Sequence, residues 1–386
     1  MSATIFDNFL RVRLDSSDVE NEGVDFHFFW LRHNCPCFVG CRHPKSGERI
    51  LSLSSVPLSI KPASVAFSPS NDELIITWNE SDPNGNQHVS TYTLEWLKEH
   101  AYAATREKTA LPADLNRVEL DYRDFAKHGE NLDGEALKKY RLECGLRLKI
   151  YGLVVVRNRG LDTEGIIRDF HPEGKDCIPS HFGRYEDLRT DNTTNQNTDQ
   201  LGYTDAGVDL HTDQPYLEFP PGTQFLQCIT PATHGGDSYL VDGFSAAHYL
   251  RTEISSRFFS ILSTTPLNFQ CKQSKYETVV ARPAFEASPD SPLTLSRIRF
   301  SDFRLAPFNL PFNQMEEWYQ AYNTFVKVVK NEKHQYRFSL KTGDIVLYDN
   351  WRMLHARTSF SGPRHVRGVY LDRSAVFSTT IGDIAV

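Results

Sequence analysis

Short runs of β-branched and aromatic residues alternate along the chain with longer polar and helical patterns. In the first hundred residues, three such runs predict strands, because their residues favour a pleated, half-buried surface; they are 24–31, 73–78 and 90–94. A polar, helix-leaning stretch follows over 101–145, with a helix start at 135–140 made mostly of good helix formers. The pattern predicts a small β-rich domain over 1–100 and a linking helical region over 101–145.

Buried strands dominate the pattern from residue 146 to 386. Apolar runs of strand length predict strands at 152–157, 223–229, 238–241, 344–348 and 367–371. Helical patterns interrupt them at 245–263 and 315–333, the second with a three- and four-residue apolar stripe typical of a core-facing helix side. Many strands with a few flanking helices predict a double-stranded β-helix (jelly roll), whose mouth can hold a metal. An Asn- and Thr-rich stretch, 191–199, predicts a mobile loop leading to that mouth.

Composition and charge narrow the class of protein. The chain has 386 residues, of which 40% are hydrophobic and 24% charged, as in an ordinary globular protein with room for two domains. A formal net charge of -7 argues against a nucleic-acid partner, which would require a basic face. The sequence has neither an apolar stretch of membrane-spanning length nor the organisation of a signal peptide. We therefore expect a cytoplasmic protein with a small-molecule partner, and neither nucleic acid nor membrane.

Three closely spaced cysteines require an explanation of their own. The chain has seven cysteines, an odd number without a secretory signal, which argues against a disulfide framework. Thiolates as close as Cys35, Cys37 and Cys41 suit a tetrahedral zinc ion that closes and stabilises a small domain. His88, which follows a turn and precedes a strand, could fold back as the fourth ligand. His43 competes by proximity, and three reduced, unligated cysteines are the alternative.

A second candidate metal site lies in the strand-rich half. His211 and Asp213 form an H-x-D pair at a predicted strand end, where residues i and i+2 point the same way. With the distant His355, they supply the two imidazoles and one carboxylate that hold Fe(II) on one face and leave the other open. Arg364, shortly after His355, could clamp a carboxylate with its planar fork. This combination indicates an oxygenase that uses 2-oxoglutarate and O2.

Several motifs together resemble the γ-butyrobetaine dioxygenase and trimethyllysine dioxygenase family, within the taurine dioxygenase-like 2-oxoglutarate oxygenases. The resemblance covers almost the whole chain. Its motifs are WLRHNCPC at 30–37, HTD at 211–213, GGDS at 235–238, VDGF at 241–244, DNWR at 349–352 and RH at 364–365.

The resemblance implies roles in the catalytic half. Iron would be held by His211, Asp213 and His355. Arg364 would pair with the distal carboxylate of 2-oxoglutarate, and Ser238 would be an additional contact.

The resemblance also implies that Cys35, Cys37, Cys41 and His88 bind a structural zinc ion. Three residues separate Cys37 from Cys41 where the family usually has two. This departure keeps His43 open as an alternative ligand.

Family members that take trimethylammonium substrates surround the cation with aromatic rings, which attract it through cation–π interaction. Tyr203 and Tyr370 fall at two such positions, and Phe182 at a third. Glu186 stands where the family has a tryptophan. Either its charge attracts the cation, or the substrate is not a betaine.

The resemblance implies hydroxylation of a small zwitterion, first of all γ-butyrobetaine to L-carnitine. Trimethyllysine, or another small amino acid or phosphonate, is the alternative substrate. A zinc-stabilised binding protein with an inactive barrel is the alternative from another class. A homodimer is a further family expectation.

Overall fold

A computed structural model describes residues 2–14, 23–101, 113–126, 131–171, 176–189, 201–289 and 291–381. The stretch 191–199, predicted as a loop, lies outside these residues. The chain divides into two compact units, 1–107 and 108–385.

Two three-stranded antiparallel sheets and two short helices form the first unit. Its elements are β1 (Ser2–Ile5), β2 (Phe9–Arg13), β3 (Val24–His27), α1 (Phe28–His33), β4 (Pro62–Phe67), β5 (Glu73–Ser81), β6 (Gln87–Thr93) and α2 (Leu94–Glu99). The sheets have the orders β1-β2-β3 and β4-β5-β6. Leu74, Ile76 and Trp78 alternate along β5 and are fully buried, so this strand carries the core of its sheet.

The strand predicted over 24–31 is correct only in its first half. The chain leaves the sheet after His27 and turns into α1. Phe28, Leu31 and Arg32 are buried there, at the i, i+3 and i+4 spacing that forms one helix face. Packing of that face outweighs the strand preference of its aromatic residues.

The second unit holds most of the strands. Its strands are β7 (Glu119–Asp121), β8 (Leu153–Arg157), β9 (Glu186–Arg189), β10 (Val208–His211), β11 (Thr223–Thr230), β12 (His234–Gly235), β13 (Ser238–Asp242), β14 (Leu267–Gln273), β15 (Tyr276–Arg282), β16 (Phe285–Ser288), β17 (Ser291–Ile298), β18 (Gln335–Phe338), β19 (Ile345–Asp349), β20 (Met353–Arg357), β21 (Phe360–Ser361) and β22 (His365–Leu371). Its helices are α3 (Gly134–Tyr151), α4 (Thr163–Phe170), α5 (Gly243–Tyr249), α6 (Ser256–Thr264), α7 (Phe312–Lys330) and α8 (Arg373–Ile381).

Two sheets form the centre of this unit. The major sheet has the order β7-β8-β19-β11-β22-β9, and the minor sheet the order β10-β20-β13-β18. All neighbours pair antiparallel except β7 and β8. The predicted double-stranded β-helix is confirmed.

The residues of β8 show why this half of the sequence has continuous apolar runs. Val154 and Val156 pack in a cluster with the helices α3 and α4, whereas Leu153 and Val155 pack in a cluster with the minor sheet. Both faces of the strand are buried, so no polar position interrupts it.

The helical pattern predicted over 245–263 is two helices. A π-helical turn at Leu250–Ile254 ends α5, and the Ser255 hydroxyl accepts a hydrogen bond from the Phe258 amide (3.2 Å) to begin α6. In α7 the predicted core-facing stripe is confirmed for Trp318, Tyr322, Phe325 and Val329, which are buried. Val326 is partly buried, and Tyr319, also predicted to face the core, is exposed because it lies to one side of that helix face. No helix in the described parts of the chain is both long and apolar enough to cross a membrane.

Candidate active site and metal centres

A cross-strand pair brings the two distant histidines together. His211 ends β10 and His355 lies in β20, and the two residues are direct partners in the register of these antiparallel strands. Their ring centroids are 4.1 Å apart. Because side chains of opposite residues on adjacent strands project to the same face, both imidazoles point to one place.

Asp213 completes this cluster from the turn after β10. Its Oδ1 lies 3.3 Å from His211 Nε2 and 3.5 Å from His355 Nε2. Asn350 holds the turn: its Oδ1 accepts from the Asp213 amide (2.7 Å), and its Nδ2 donates to the carbonyls of Asp213 (3.1 Å) and Pro221 (2.9 Å). The DNWR motif thus positions the carboxylate of the HTD motif.

The protonation states of this cluster suit a divalent cation. His211 Nδ1 lies 2.8 Å from the Asp209 carbonyl. This contact places the ring proton on Nδ1 and leaves the lone pair of Nε2 available to bind a metal. Burial and the neighbouring His211 lower the pKa of His355 to about 3, so its ring is neutral. Burial alone would raise the pKa of Asp213, but the two imidazoles and Tyr370 hold it well below its usual range. The neutral imidazole of His355 and the ionised carboxylate of Asp213 belong to the donor set that Fe(II) prefers.

A cavity opens over this cluster between the two sheets, and one part of its wall is cationic. Ser238, Arg357 and Arg364 all line it. Ser238 and Arg357 are cross-strand partners on β13 and β20. Burial lowers the pKa of Arg357 and that of Arg364 to about 10. The charge of Arg357 also acts to lower the pKa of Arg364, so the two guanidiniums place positive charge in one region of the wall. Such a site favours an anionic ligand.

The sequence did not predict Arg357 as a site residue. Its Nη2 donates to the carbonyls of Thr204 (3.0 Å) and Ala206 (2.6 Å), whereas its buried Nη1 has no hydrogen-bond partner. The available signal was its position two residues after His355, which places both side chains on one face of β20.

The inner face of the major sheet forms the opposite wall. Gln224, Glu186 and Tyr370 line the cavity there. The Tyr370 hydroxyl donates to Asp213 Oδ2 (2.9 Å) and lies 3.3 Å from Glu186 Oε2. Burial and the charge of Asp213 raise the pKa of Glu186 to about 8.

The remaining candidate substrate residues lie in the same region. Phe182 lines the cavity, and its ring centroid is 6.2 Å from that of Tyr203. Tyr203 is buried, and its hydroxyl is hydrogen-bonded to Glu186. The structure thus brings all four of these candidates together, with one carboxylate among three aromatic rings.

A short helical turn supplies cavity residues that sequence reasoning missed. Phe303 and Arg304 lie in the 3-10 turn Asp302–Arg304 and line the cavity. The Phe303 ring packs edge-on at 5.0 Å from His211, and the Arg304 guanidinium lies 5.3 Å from the Tyr216 ring centroid. No local motif marks this turn, because only the tertiary fold carries it to the metal cluster.

The first unit contains a separate cluster of possible metal ligands. His88 Nε2, on β6, lies 3.3 Å from Cys35 Sγ, 3.8 Å from Cys37 Sγ and 3.6 Å from Cys41 Sγ. The His43 ring instead contacts Ser46. A Cys3His set with ligand atoms this close is compatible with structural zinc.

The surroundings of this cluster favour thiolate at Cys41, whereas the hydrogen bond with Cys41 raises the pKa of Cys35 and burial raises that of Cys37. Hydrogen bonds from Cys35 and His88, together with the charge of Arg32, hold the pKa of Cys41 well below its usual range. Arg32 Nη1 donates to Cys41 Sγ (3.2 Å), and the same guanidinium is paired with Glu80. Zinc requires deprotonated thiols, so these contacts support the cluster's ability to bind it.

Comparisons with known proteins agree with both units. Residues 119–370 match the model of the "Taurine catabolism dioxygenase TauD, TfdA family", and residues 10–106 match "Gamma-butyrobetaine hydroxylase-like, N-terminal". The chain is 30% identical to gamma-butyrobetaine dioxygenase of Pseudomonas sp. (strain AK-1), covering 92% of this chain and 89% of that protein. It is 29% identical to the mitochondrial trimethyllysine dioxygenase of Rattus norvegicus, covering 92% and 82%. It is also 27% identical to the gamma-butyrobetaine dioxygenase of Homo sapiens, covering 90% and 88%.

Proposed function

The chain belongs to the taurine catabolism dioxygenase TauD, TfdA family of Fe(II)- and 2-oxoglutarate-dependent dioxygenases, and we propose that it hydroxylates a small zwitterionic substrate. One observation carries the proposal: the His211–Asp213–His355 cluster and the cationic wall of Arg357 and Arg364 face one cavity. A metal that binds an anionic co-substrate needs both features within reach of each other.

In this proposal His211, Asp213 and His355 hold Fe(II). Arg364 pairs with the distal carboxylate of 2-oxoglutarate, and Ser238 donates a further hydrogen bond. The orphan Nη1 of Arg357 adds a second cationic donor at the same end. Two buried guanidiniums offset the cost of removing a dianion from water.

When bound, iron with 2-oxoglutarate and O2 supplies the oxidation of an unactivated C–H bond, giving the alcohol, succinate and carbon dioxide. The chain's own residues orient the reactants and exclude water. Asn350 fixes the backbone on both sides of Asp213, and Tyr370 hydrogen-bonds the carboxylate oxygen Oδ2. Phe303 covers one edge of His211 and limits solvent at the metal.

The substrate end of the cavity supports a zwitterion with an amine and an acid group. Glu186 offers a carboxyl group among aromatic rings, which a neighbouring ammonium would hold in its ionised form, and Arg304 offers a guanidinium. The relatives' names make γ-butyrobetaine the first compound to test, with L-carnitine as the expected product, and trimethyllysine the second.

The Cys35–Cys37–Cys41–His88 cluster, in the same proposal, binds zinc with four protein ligands. Four protein ligands would close the ion to substrate, so its role is structural.

A succinate-release screen tests the function. The purified protein, supplied with Fe(II), ascorbate, 2-oxoglutarate and O2, is offered γ-butyrobetaine, trimethyllysine and related zwitterions, and products are identified by mass spectrometry. We expect one of them to raise succinate formation and gain one oxygen atom. Succinate formation that no compound raises, in protein that binds iron, would instead support a binding protein with an inactive barrel.

A further inference from the structure

Among the described residues of the cavity wall, Glu186 and Arg304 are the two ionisable side chains that the iron and co-substrate assignments leave without a role. Both line the cavity above the metal cluster. They lie close enough for the charge of Arg304 to act on Glu186. Opposite charges facing one cavity can bind the two ends of a zwitterion.

The backbone of β9 aims Glu186 into the cavity. Glu186 and Leu188 both line the cavity, whereas Asp187 bonds the outer face of β22 through Arg367 and His365. Gly368 is the cross-strand partner of Glu186. Because this partner has no side chain, the direct cross-strand neighbour of Glu186 leaves it uncovered, and Tyr370, two residues further along β22, contacts only its carboxyl end (3.3 Å).

The tyrosine hydroxyls beside Glu186 leave its carboxylate with spare acceptor capacity. Burial and Asp213 raise the pKa of Glu186 to about 8, but a substrate ammonium beside it would favour its ionised form. An ionised carboxylate has about four acceptor positions, and a phenol has one proton to donate. The Tyr370 hydroxyl is nearer to Asp213 (2.9 Å) than to Glu186 (3.3 Å), so its proton belongs mainly to Asp213. Tyr203 donates to Glu186 from the buried side. In the described parts of the chain these two tyrosines are the hydrogen-bond donors to Glu186, so its remaining acceptor positions are open to donors from the cavity.

A quaternary ammonium cannot supply those donors. Its methyl groups carry no N–H, so it is recognised by cation–π attraction and by its overall charge, and not by hydrogen bonds. A primary or secondary ammonium, or a guanidinium, offers N–H groups and forms charge-assisted hydrogen bonds to a carboxylate.

The arginine end has the complementary chemistry. The 3-10 turn Asp302–Arg304 places the guanidinium beside the Tyr216 ring. A planar guanidinium presents donors that match a carboxylate.

We propose that Glu186 hydrogen-bonds a substrate ammonium that carries at least one N–H, while Arg304 binds the substrate's acid group. This inference rests on the proposed function and restricts its substrate to zwitterions whose amine is not fully methylated. Glu186 and Arg304 are then specificity-determining residues.

Two matched pairs of compounds test the amine end. In each pair the carbon skeleton is constant and only methylation differs: 4-aminobutyrate against γ-butyrobetaine, and lysine against trimethyllysine. Binding is measured by calorimetry on anaerobic protein loaded with iron and 2-oxoglutarate, and turnover by succinate release. We expect the N–H form of at least one pair to bind about tenfold or more tightly than its methylated partner. In Glu186→Gln that preference disappears, whereas in Glu332→Gln, an exposed position, it persists.

Tighter binding of the quaternary member in both pairs overturns the inference, as does a preference that survives in Glu186→Gln, or failure of all four compounds to bind. These results leave the proposed function standing if succinate is formed. A preference for N–H that depends on Glu186, without succinate formation, refutes the proposed hydroxylation and supports the recognition.

The acid end is tested with 4-aminobutyrate and 4-aminobutanamide, which lacks the carboxylate. Arg304→Gln is expected to weaken binding of the acid by about tenfold and to leave binding of the amide unchanged. Equal losses for both compounds would show that Arg304 shapes the cavity and does not bind the acid.

Discussion

His211 and His355 are cross-strand partners on two adjacent strands, β10 and β20, although about half of the second unit separates them in sequence. The register fixes their relative position more firmly than any loop could. In the proposed function, Asp213 and these two imidazoles form the iron site.

Replacing His355 with alanine should abolish iron-dependent succinate formation, because one of three proposed iron ligands is lost. His355 is a strand residue in a well-packed sheet, so the circular dichroism spectrum and zinc content should not change. Retained turnover in this variant would refute the triad assignment.

Asn350→Ala should weaken Fe(II) binding by about 10- to 100-fold, the range expected when a partner that orients a metal ligand is lost. The variant removes both hydrogen bonds that hold the Asp213 backbone and leaves every proposed ligand in place. Iron titration under anaerobic conditions measures the effect. Unchanged iron affinity would mean that Asp213 is positioned by other contacts.

Arg364→Met should raise the KM for 2-oxoglutarate by about tenfold or more, since one partner of a buried charge pair is removed. Arg367→Met is the matched control: Arg367 lies in β22, which begins directly after Arg364, and its guanidinium bonds Asp187 and Thr163, which do not line the cavity. If the two variants change KM equally, Arg364 has no special role toward the co-substrate.

Asp242→Asn should destabilise the protein by about 3 kcal/mol at pH 7, since Asp242 is a buried partner of Arg352 and also caps α5. Although burial acts to raise it, pairing with Arg352 keeps the pKa of Asp242 below its ordinary value of 3.8. A depressed carboxyl pKa gives stability that is present above about pH 4 and is lost as the pH falls further. Chemical denaturation at several pH values should therefore show the difference between wild type and variant shrinking below about pH 4, and no such trend for the exposed Asp124→Asn.

His88→Ala and Cys37→Ala should each lower the zinc content below one ion per chain and reduce the unfolding temperature of the first unit. His43→Ala should keep one zinc, because its ring lies against Ser46 and not against the thiols. Atomic absorption together with thermal unfolding measures both effects. Full zinc content in His88→Ala would show that His88 is not the fourth ligand and would favour His43 in that role.

The sequence predicted much of this arrangement because its signals are local. The strands at 152–157 and 223–229 are continuous apolar runs, and the HTD motif carries two metal-ligand types at the spacing of one strand face. The hairpins β14–β15 and β16–β17 were not predicted. In β15 every residue is at least partly exposed, so its sequence lacks a buried apolar face.

Arg304 and Arg357 escaped for a different reason. An arginine is usually a surface residue. Arg357 had only its spacing from His355 as a signal and Arg304 had none, so the fold was needed to show that both line the cavity. Phe28 and its neighbours show the converse case, in which strand-forming aromatic residues became a helix because one helical face could be buried.

The position of β9 in the major sheet has an evolutionary consequence. Among the described strands it pairs only with β22, at the edge of the sheet. Its successive side chains point to opposite faces and therefore have different roles. Asp187 anchors the strand, and Glu186 and Leu188 contact whatever enters the cavity. Mutations at the second set can thus change which molecule is accepted while the anchoring contacts, and the strands that carry the metal cluster, stay as they are. A sheet edge of this kind lets one oxidative centre diversify its substrates by single substitutions.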